Sequence, residues 1–217
     1  MFRLLVSLLA ALCATLVPLG AASAAPPAIL VLGDSLSAEY GLQRGKGWVA
    51  LMEQRLKEKQ LDYSVVNASI SGETSSGGAA RFAETLARTK PAVVIIELGG
   101  NDGLRGLPIT ATRANFEAMI TQAQKSGAKV VLAGMQMPPN YGRDYTEKFR
   151  NMYPELAQKY KTGLAPFILE GIGDKPELFQ PDGIHPLAQA HPRMLDNVWP
   201  ALEPLLKPAG KAPPVKR

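Results

Sequence analysis

The pattern of apolar and polar residues along this chain switches between two forms. Short unbroken apolar runs, typical of strands buried on both faces of a parallel sheet, are followed by stretches in which apolar residues recur at helical spacing. The apolar runs predict strands at Ala28–Leu32, Tyr63–Asn67, Pro91–Leu98, Lys129–Gly134 and Leu164–Leu169. The helical spacing predicts helices over Trp48–Gln60 and around Phe82, Phe116, Phe149 and Met194. This alternation predicts an α/β fold: a three-layer α/β/α sandwich with a central parallel sheet of about five strands.

Proline and glycine mark the interruptions in this pattern. The glycine-bearing stretch Ala68–Gly78 and the later stretch Gln180–Pro186 are both predicted to be loops. Pro154 is predicted to start a fresh turn or to kink its helix, and Pro200 to bend the last helix.

The first 24 residues are predicted to be a secretory signal peptide. Arg3 precedes the apolar stretch Leu4–Val17, and Ala22-Ser23-Ala24 provides a small-residue cleavage site. The apolar stretch is too short for a comfortable transmembrane helix, so we expect no stable membrane insertion. The only cysteine, Cys13, lies in this segment. The mature chain would therefore have no cysteine nucleophile, thiolate ligand or disulfide.

The numbers of basic and acidic residues are equal once the two ends of the chain are left out. Of 24 basic residues, five lie in residues 1–24 or 207–217, which leaves 19 basic residues against 19 acidic ones. Residues 207–217 are basic and proline-rich with little to bury, so they are predicted to be a disordered, solvated tail. A membrane-surface or nucleic-acid role for this tail is the alternative. Residues 25–206 are of a length typical of one domain. No basic patch with interleaved aromatic residues is present, so no nucleic-acid partner is expected.

Four polar clusters follow predicted strands or lie in late loops. They are Gly33-Asp34-Ser35, Ser71-Gly72, Gly99-Gly100-Asn101-Asp102 and Asp182-Gly183-Ile184-His185. Ligands of open α/β sheets bind outside the carboxyl ends of the strands. The clusters are therefore candidates for one common site.

A serine hydroxyl needs a neighbouring base before it can act as a nucleophile. His185 follows Asp182 by three residues, close enough for the carboxylate to hold one imidazole nitrogen and leave the other to face Ser35. The alternative interpretation of His185 is an ordinary histidine of a surface loop. The only other histidine, His191, is expected to face solvent near a helix start.

Acyl transfer also requires hydrogen-bond donors for the developing oxyanion. The backbone N–H groups of Ser35 and Gly72 and the side-chain amide of Asn101 could supply three. Gly72 as a turn former and Asn101 as a turn or cap residue are the structural alternatives.

Several acidic residues are expected to have structural roles. Asp34 and Asp102 are interpreted as residues that make local loop hydrogen bonds. A metal site of a phosphoesterase, built from Asp34, Asp102, Asp182 and His185, would need at least three converging ligands, and no metal is predicted. Glu97 lies inside an apolar run, where burial would raise its pKa unless it is paired.

Together the four clusters resemble the sequence blocks of the SGNH (GDSL-type) hydrolases, and the resemblance covers about residues 27–206. It is strongest to a secreted bacterial subgroup with thioesterase, lysophospholipase and arylesterase activity. The similar segments are Asn67–Thr74, Glu97–Gly106, Pro139–Gly142 and Asp182–Pro186. Gly33–Ser37 lacks the second glycine of a Gly-x-Ser-x-Gly elbow, so the chain is not predicted to have the α/β-hydrolase fold.

The resemblance implies a role for each candidate residue. Ser35 would be the nucleophile, His185 its base and Asp182 the acid that orients the histidine. Ser35, Gly72 and Asn101 would provide the oxyanion hole.

The resemblance also implies a flavodoxin-like sheet, a periplasmic location and no cofactor. A mobile loop of this family would fall near Ser75–Ala80, with Ser76-Gly77-Gly78 as its hinge.

The loops around this site carry apolar residues that suit a flexible acyl chain. The candidate substrate-binding residues are Leu104, Arg105, Leu107, Met137, Pro138, Ile172 and Phe179. Core packing is the alternative for the apolar members, and Arg105 is either a surface residue or a contact for a substrate phosphate. We predict a monomer that hydrolyses small-molecule thioesters and esters. The alternatives are a carbohydrate or peptidoglycan O-acetyl esterase and a non-catalytic secreted binding module.

Overall fold

A parallel five-stranded sheet forms the centre of the protein. The computed structural model describes residues 25–207, so the predicted signal peptide and residues 208–217 of the predicted tail lie outside the described residues. The strands are β1 (Ala28–Gly33), β2 (Ser64–Asn67), β3 (Val93–Glu97), β4 (Lys129–Ala133) and β5 (Gly163–Ala165). Their order in the sheet is β2-β1-β3-β4-β5, and every neighbouring pair is parallel. This confirms the predicted parallel sheet.

Two groups of helices cover the sheet. The helices are α1 (Trp48–Glu58), α2 (Ser75–Thr89), α3 (Gly100–Leu104), α4 (Ile109–Lys125), α5 (Arg143–Tyr160) and α6 (His191–Leu202). Helix α1 packs against α6, whereas α4 packs against both α2 and α5. This arrangement agrees with the predicted α/β/α sandwich.

The two central strands, β1 and β3, are buried except at Ala28, the first residue of β1. Ile29–Leu32 of β1 and Val94–Ile96 of β3 are completely buried, as their unbroken apolar runs predicted. The last strand is shorter than predicted, because Pro166 follows Ala165 and has no N–H to donate to a ladder. Residues 166–169 therefore belong to the loop that follows β5.

The predicted loop after β2 ends four residues early. Helix α2 begins at Ser75, because the Thr74 side chain caps it by accepting a hydrogen bond from the Gly77 N–H. Residues 75–80 are therefore the first turns of a helix, and the prediction of a mobile loop there, hinged at residues 76–78, is wrong. Helix α5 also runs without interruption through Pro154, so the fresh turn predicted there is wrong as well.

His191 is buried, which contradicts the expectation that it faces solvent. Its side chain is 1% exposed, and its Nδ1 accepts a hydrogen bond of 3.0 Å from the Trp48 N–H at the start of α1. The start of α6 is covered by α1, a tertiary contact that the sequence around His191 does not reveal. Burial lowers the pKa of His191 to about 4.

We expect His191 to make the stability of the protein depend on pH. The pKa of a histidine is 6.5 when it is solvated and about 4 here, so only the unfolded state takes up the proton as pH falls through this range. The contribution of neutral His191 to the free energy of unfolding is complete above about pH 6.5 and is lost progressively as the pH falls to about 4. In His191→Asn, Oδ1 can replace Nδ1 as the acceptor, and the melting temperature should fall less between these two pH values. An equally steep fall in this variant would contradict the prediction.

Candidate active site

Ser35, His185 and Asp182 form a continuous hydrogen-bonded chain. Ser35 follows the end of β1, and the loop before α6 brings His185 beside it although 150 residues separate the two. His185 Nε2 lies 2.8 Å from Ser35 Oγ, and His185 Nδ1 lies 2.7 Å from Asp182 Oδ2. The three residues thus have the geometry of a serine nucleophile, a base and an orienting carboxylate.

Asp182 is ionised at neutral pH, and its side chain is 37% exposed to water. Hydrogen bonds from the His185 N–H, from the His185 ring and from the Ile184 N–H lower the pKa of Asp182 to about 2. An ionised carboxylate accepts a hydrogen bond from the Nδ1–H group, which keeps the proton on Nδ1 and leaves Nε2 free to accept the hydroxyl proton of Ser35.

The loop that carries His185 is fastened at both ends. Phe179 and Pro186 form an antiparallel bridge, and the Gln180 N–H donates to the His185 carbonyl at 2.7 Å. The Tyr40 ring lies 4.3 Å from the His185 ring. Sequence reasoning missed Tyr40, because nothing in the sequence pairs this exposed residue with a loop so far along the chain.

The three candidate oxyanion donors differ in their present bonding. Among residues 25–207, the N–H groups of Ser35 and Gly72 donate to no other group. Gly72 has a φ of 79°, a left-handed conformation that favours glycine. Asn101 Nδ2 donates to Asp34 Oδ2 at 3.1 Å and to the Glu73 carbonyl at 3.0 Å. Both amide hydrogens are engaged, so Asn101 must release one of them to bind an oxyanion.

Two buried carboxyl groups lie behind this site. Asp34 accepts hydrogen bonds from the Leu36 N–H and from Asn101, and its burial raises its pKa to about 6. Glu97 Oε2 accepts from Ser37 Oγ at 2.7 Å and from the Asp34 N–H at 3.3 Å. Burial, together with the neighbouring Asp34 charge, raises the pKa of Glu97 well above its usual value.

Asp102 connects the starts of three helices. Its carboxylate accepts hydrogen bonds from the N–H and hydroxyl of Ser75 on α2 and from the Thr112 hydroxyl on α4. These bonds fix α2 and α4 relative to Asn101, the neighbouring residue on α3. In residues 25–207 no three His, Cys, Asp or Glu side chains converge as metal ligands would, and the carboxylates that a metal site would require are separated between these different networks.

A cavity of about 600 Å³ opens beside Ser35. Four of the seven candidate substrate-binding residues line it: Leu104, Met137, Pro138 and Phe179. Further apolar lining comes from Leu36, Met135, Pro139, Phe167, Leu169 and Ile184, and Glu170 and Asp174 add two carboxylates. Phe167 and Leu169 were missed because the apolar run that contains them was predicted to continue the fifth strand.

Arg105, Leu107 and Ile172 do not line this cavity, which corrects the prediction for them. Ile172 is completely buried in the core. The Leu107 carbonyl accepts a hydrogen bond from the Tyr145 hydroxyl, so this residue joins the start of α4 to α5. Arg105 is exposed and donates to the Gly72 carbonyl at 3.0 Å, where it holds the Gly72 turn.

Comparison with known proteins gives consistent matches over this region. Residues 31–193 match the GDSL-like Lipase/Acylhydrolase family. "Esterase TesA" of Pseudomonas aeruginosa is 54% identical over 183 residues, which cover 84% of this chain and 91% of that protein. "Thioesterase 1/protease 1/lysophospholipase L1" of Escherichia coli K12 is 41% identical over 184 residues, with 85% and 87% covered. A crystal structure of TesA superposes with a TM-score of 0.81 at 54% identity, covering 82% of this chain and 99% of that one.

Proposed function

Because this chain belongs to the GDSL-like lipase/acylhydrolase family, we propose that it hydrolyses carboxylic esters and thioesters with apolar acyl groups, with Ser35 as the nucleophile. The observation that carries the proposal is the hydrogen-bonded chain from Ser35 Oγ through His185 to Asp182. The esterase and thioesterase names of the two relatives are consistent with this reaction.

The first half of the reaction transfers the acyl group to the enzyme. Ser35 Oγ attacks the carbonyl carbon of the substrate while its proton moves to His185 Nε2. The carbonyl oxygen becomes an oxyanion, which the Ser35 and Gly72 N–H groups and the Asn101 amide bind. The bond to the leaving alcohol or thiol then breaks, and His185 returns its proton to that group.

The second half releases the acid. Water gives a proton to His185 Nε2 and attacks the acyl-Ser35 carbonyl, which again becomes an oxyanion. When the bond to Ser35 Oγ breaks, His185 protonates that oxygen, and the enzyme returns to its starting state. Asp182 stays ionised throughout and stabilises the imidazolium that forms in each half.

Covalent labelling tests the proposed nucleophile. A fluorophosphonate should label the wild-type protein on the Ser35-containing peptide, as mass spectrometry of a digest would show. Ser76→Ala, which removes an exposed hydroxyl from α2, is the matched control and should label normally. Absence of label from folded wild-type protein would exclude the proposed reaction.

We expect Asn101→Ala to lower kcat by about 10²- to 10³-fold, the usual loss when one oxyanion donor is removed. KM should change little, because this amide binds the oxygen most strongly after it becomes charged. Initial rates with p-nitrophenyl esters would measure both constants. A variant within a few-fold of the wild-type rate would show that Asn101 is not an oxyanion donor.

The size and lining of the cavity favour a long acyl chain over an acetyl group. A cavity of about 600 Å³ with mostly apolar walls has room for many methylene groups, whereas an acetyl esterase requires only a small pocket. The alternative of a carbohydrate or peptidoglycan O-acetyl esterase therefore predicts faster cleavage of p-nitrophenyl acetate than of the decanoate. Our proposal predicts the reverse order of kcat/KM.

Leu104→Ser should lower kcat/KM for the decanoate about fivefold and leave the acetate value unchanged. Leu104 lines the cavity, and partial loss of its apolar contact with the chain is worth about 1 kcal/mol. Ile70→Ser is the matched control, because Ile70 is also an exposed apolar residue but does not line the cavity. Equal losses for both esters in Leu104→Ser would contradict this placement of the acyl chain.

We further propose that the mature chain acts as a periplasmic monomer. The predicted signal peptide supports the location, and in residues 25–207 no helix has both the length and the apolarity to cross a membrane. Cell fractionation of the expressed full-length chain tests the location, and light scattering of the purified protein tests the monomeric state.

A further inference from the structure

Two buried carboxyl groups lie directly behind the candidate oxyanion site, and the reaction described above uses neither. Asp34 on the loop after β1 is 2% exposed, and Glu97 at the end of β3 is 1% exposed. Gly33 and Glu97 are paired in the register of the two strands, and the Asp34 N–H donates to Glu97 Oε2 at 3.3 Å, so the two residues are in contact. No basic side chain in residues 25–207 forms an ion pair with either group.

A chain of hydrogen bonds runs through this pair to Asn101. Trp48 Nε1 donates to Ser37 Oγ at 3.2 Å, and Ser37 Oγ donates to Glu97 Oε2 at 2.7 Å. Glu97 Oε2 also accepts from the Asp34 N–H at 3.3 Å, and Asp34 Oδ2 accepts from Asn101 Nδ2 at 3.1 Å. Asp34 Oδ1 is occupied by the Leu36 N–H at 3.0 Å.

Two negative charges cannot be held so close together out of water without a cation, so one proton must remain on the pair at neutral pH. Glu97 Oε2 already accepts two hydrogen bonds, which leaves Oε1 to carry the proton. The other titratable groups that face the pair are His185 from the loop before α6 and Tyr153 from α5. His185 is the only base of these two, and it already bonds Asp182 and Ser35.

Glycine allows the carboxyl groups to come this close to the backbone. A Cβ atom on Gly33 would lie 2.8 Å from Glu97 Oε2, and one on Gly100 would lie 3.3 Å from Asp34 Oδ2. The absence of side chains at these two glycines therefore lets the carboxyl pair lie against the backbone at the start of α3.

We propose that Asp34 and Glu97 are positioning residues: neutral Glu97 donates a hydrogen bond to the Asp34 carboxylate, and that carboxylate anchors one hydrogen of the Asn101 amide. The bond to a charged carboxylate is stronger than the bond to the neutral Glu73 carbonyl. Asn101 therefore keeps its bond to Asp34 and releases the hydrogen on Glu73 to the oxyanion. This inference rests on the proposed function, because it assigns the support of one of its oxyanion donors.

A double-mutant cycle tests whether Asp34 acts through Asn101. The Leu36 N–H and the Asn101 amide bond different oxygens of Asp34, and Asp34→Asn keeps an acceptor at only one of these two positions, so one of the bonds is lost. We expect its kcat to fall about 10- to 100-fold, the effect of losing one hydrogen bond to a charged group, with KM nearly unchanged. The Asp34→Asn/Asn101→Ala double variant should be no more than about twofold slower than Asn101→Ala alone. If the fold-reduction in kcat of the double variant equalled the product of the reductions in the two single variants, the proposal would be overturned.

Glu97 is tested by its conservative variant and by its protonation state. Glu97→Ala should lower kcat, and Glu97→Gln, which keeps both the acceptor and a donor, should recover at least about tenfold of that loss. Carbon-13 NMR of the labelled wild-type carboxyl groups should show Glu97 protonated at neutral pH. An ionised Glu97 overturns the proposal even where a variant fails to fold. Asp62→Asn, at an exposed position, is the control for a carboxylate-to-amide change. Wild-type protein that does not label with fluorophosphonate would instead refute the proposed function.

Discussion

Ser35→Ala is expected to lower kcat for p-nitrophenyl ester hydrolysis by about 10⁶-fold. Without Oγ there is no atom at 2.8 Å from His185 Nε2 to form the acyl-enzyme, so only the slow attack of water on a bound ester remains. The oxyanion donors and the cavity are retained in this variant. A small residual rate above the uncatalysed reaction is therefore expected.

Three measurements make this result specific to the nucleophile. The variant should melt at nearly the wild-type temperature, because Ser35 is only half-buried and its hydroxyl bonds the His185 ring alone. Ser76→Ala, purified in parallel, should retain full activity and so exclude losses from handling. Active-site titration of the wild type should release about one p-nitrophenol per chain in a burst. A Ser35→Ala variant within about 10²-fold of the wild-type rate would identify another residue as the nucleophile.

Asp182→Asn is expected to lower kcat by about 10⁴-fold while the fold stays intact. An asparagine oxygen can replace Oδ1 as the acceptor for the Ile184 and His185 N–H groups, so the loop keeps its shape. Its NH₂ group, however, would face Nδ1 as a donor and force the imidazole proton onto Nε2. Nε2 would then no longer be able to accept the Ser35 proton.

The change of tautomer has its own signature. Asp182→Asn should be labelled by fluorophosphonate much more slowly than the wild type, because labelling needs the same proton transfer from Ser35. Asp62→Asn makes the same chemical change at an exposed position between α1 and β2 and should leave both rates unchanged. If kcat of Asp182→Asn stayed within about tenfold of the wild-type value, orientation of His185 by the carboxylate would be excluded.

The local sequence pattern predicted the structure correctly where the pattern matches the burial of the residues in the fold. The apolar runs at β1 and β3 are buried on both faces, and the strand ends bring Ser35 and Asn101 to one edge of the sheet. Pairing Asp182 with His185 needed only their spacing of three residues. The approach of His185 to Ser35 could be expected from the resemblance, whereas its distance had to come from the fold.

Other outcomes depended on contacts distant in sequence. His191 is buried because α1 covers the start of α6, where the Trp48 N–H donates to its Nδ1. The two bonds that occupy the Asn101 amide depend on Asp34 and Glu73, residues from two other loops. No period or spacing along the chain carries information about such pairs.

The separation of 150 residues between Ser35 and His185 has a consequence for biosynthesis. During translation, the nucleophile leaves the ribosome long before the base has been made. A partly synthesised or partly exported chain thus contains a serine with no imidazole to activate it. Ester hydrolysis by this protein can begin only after almost the whole domain has emerged and its two distant loops have met, so an unfinished chain is inactive.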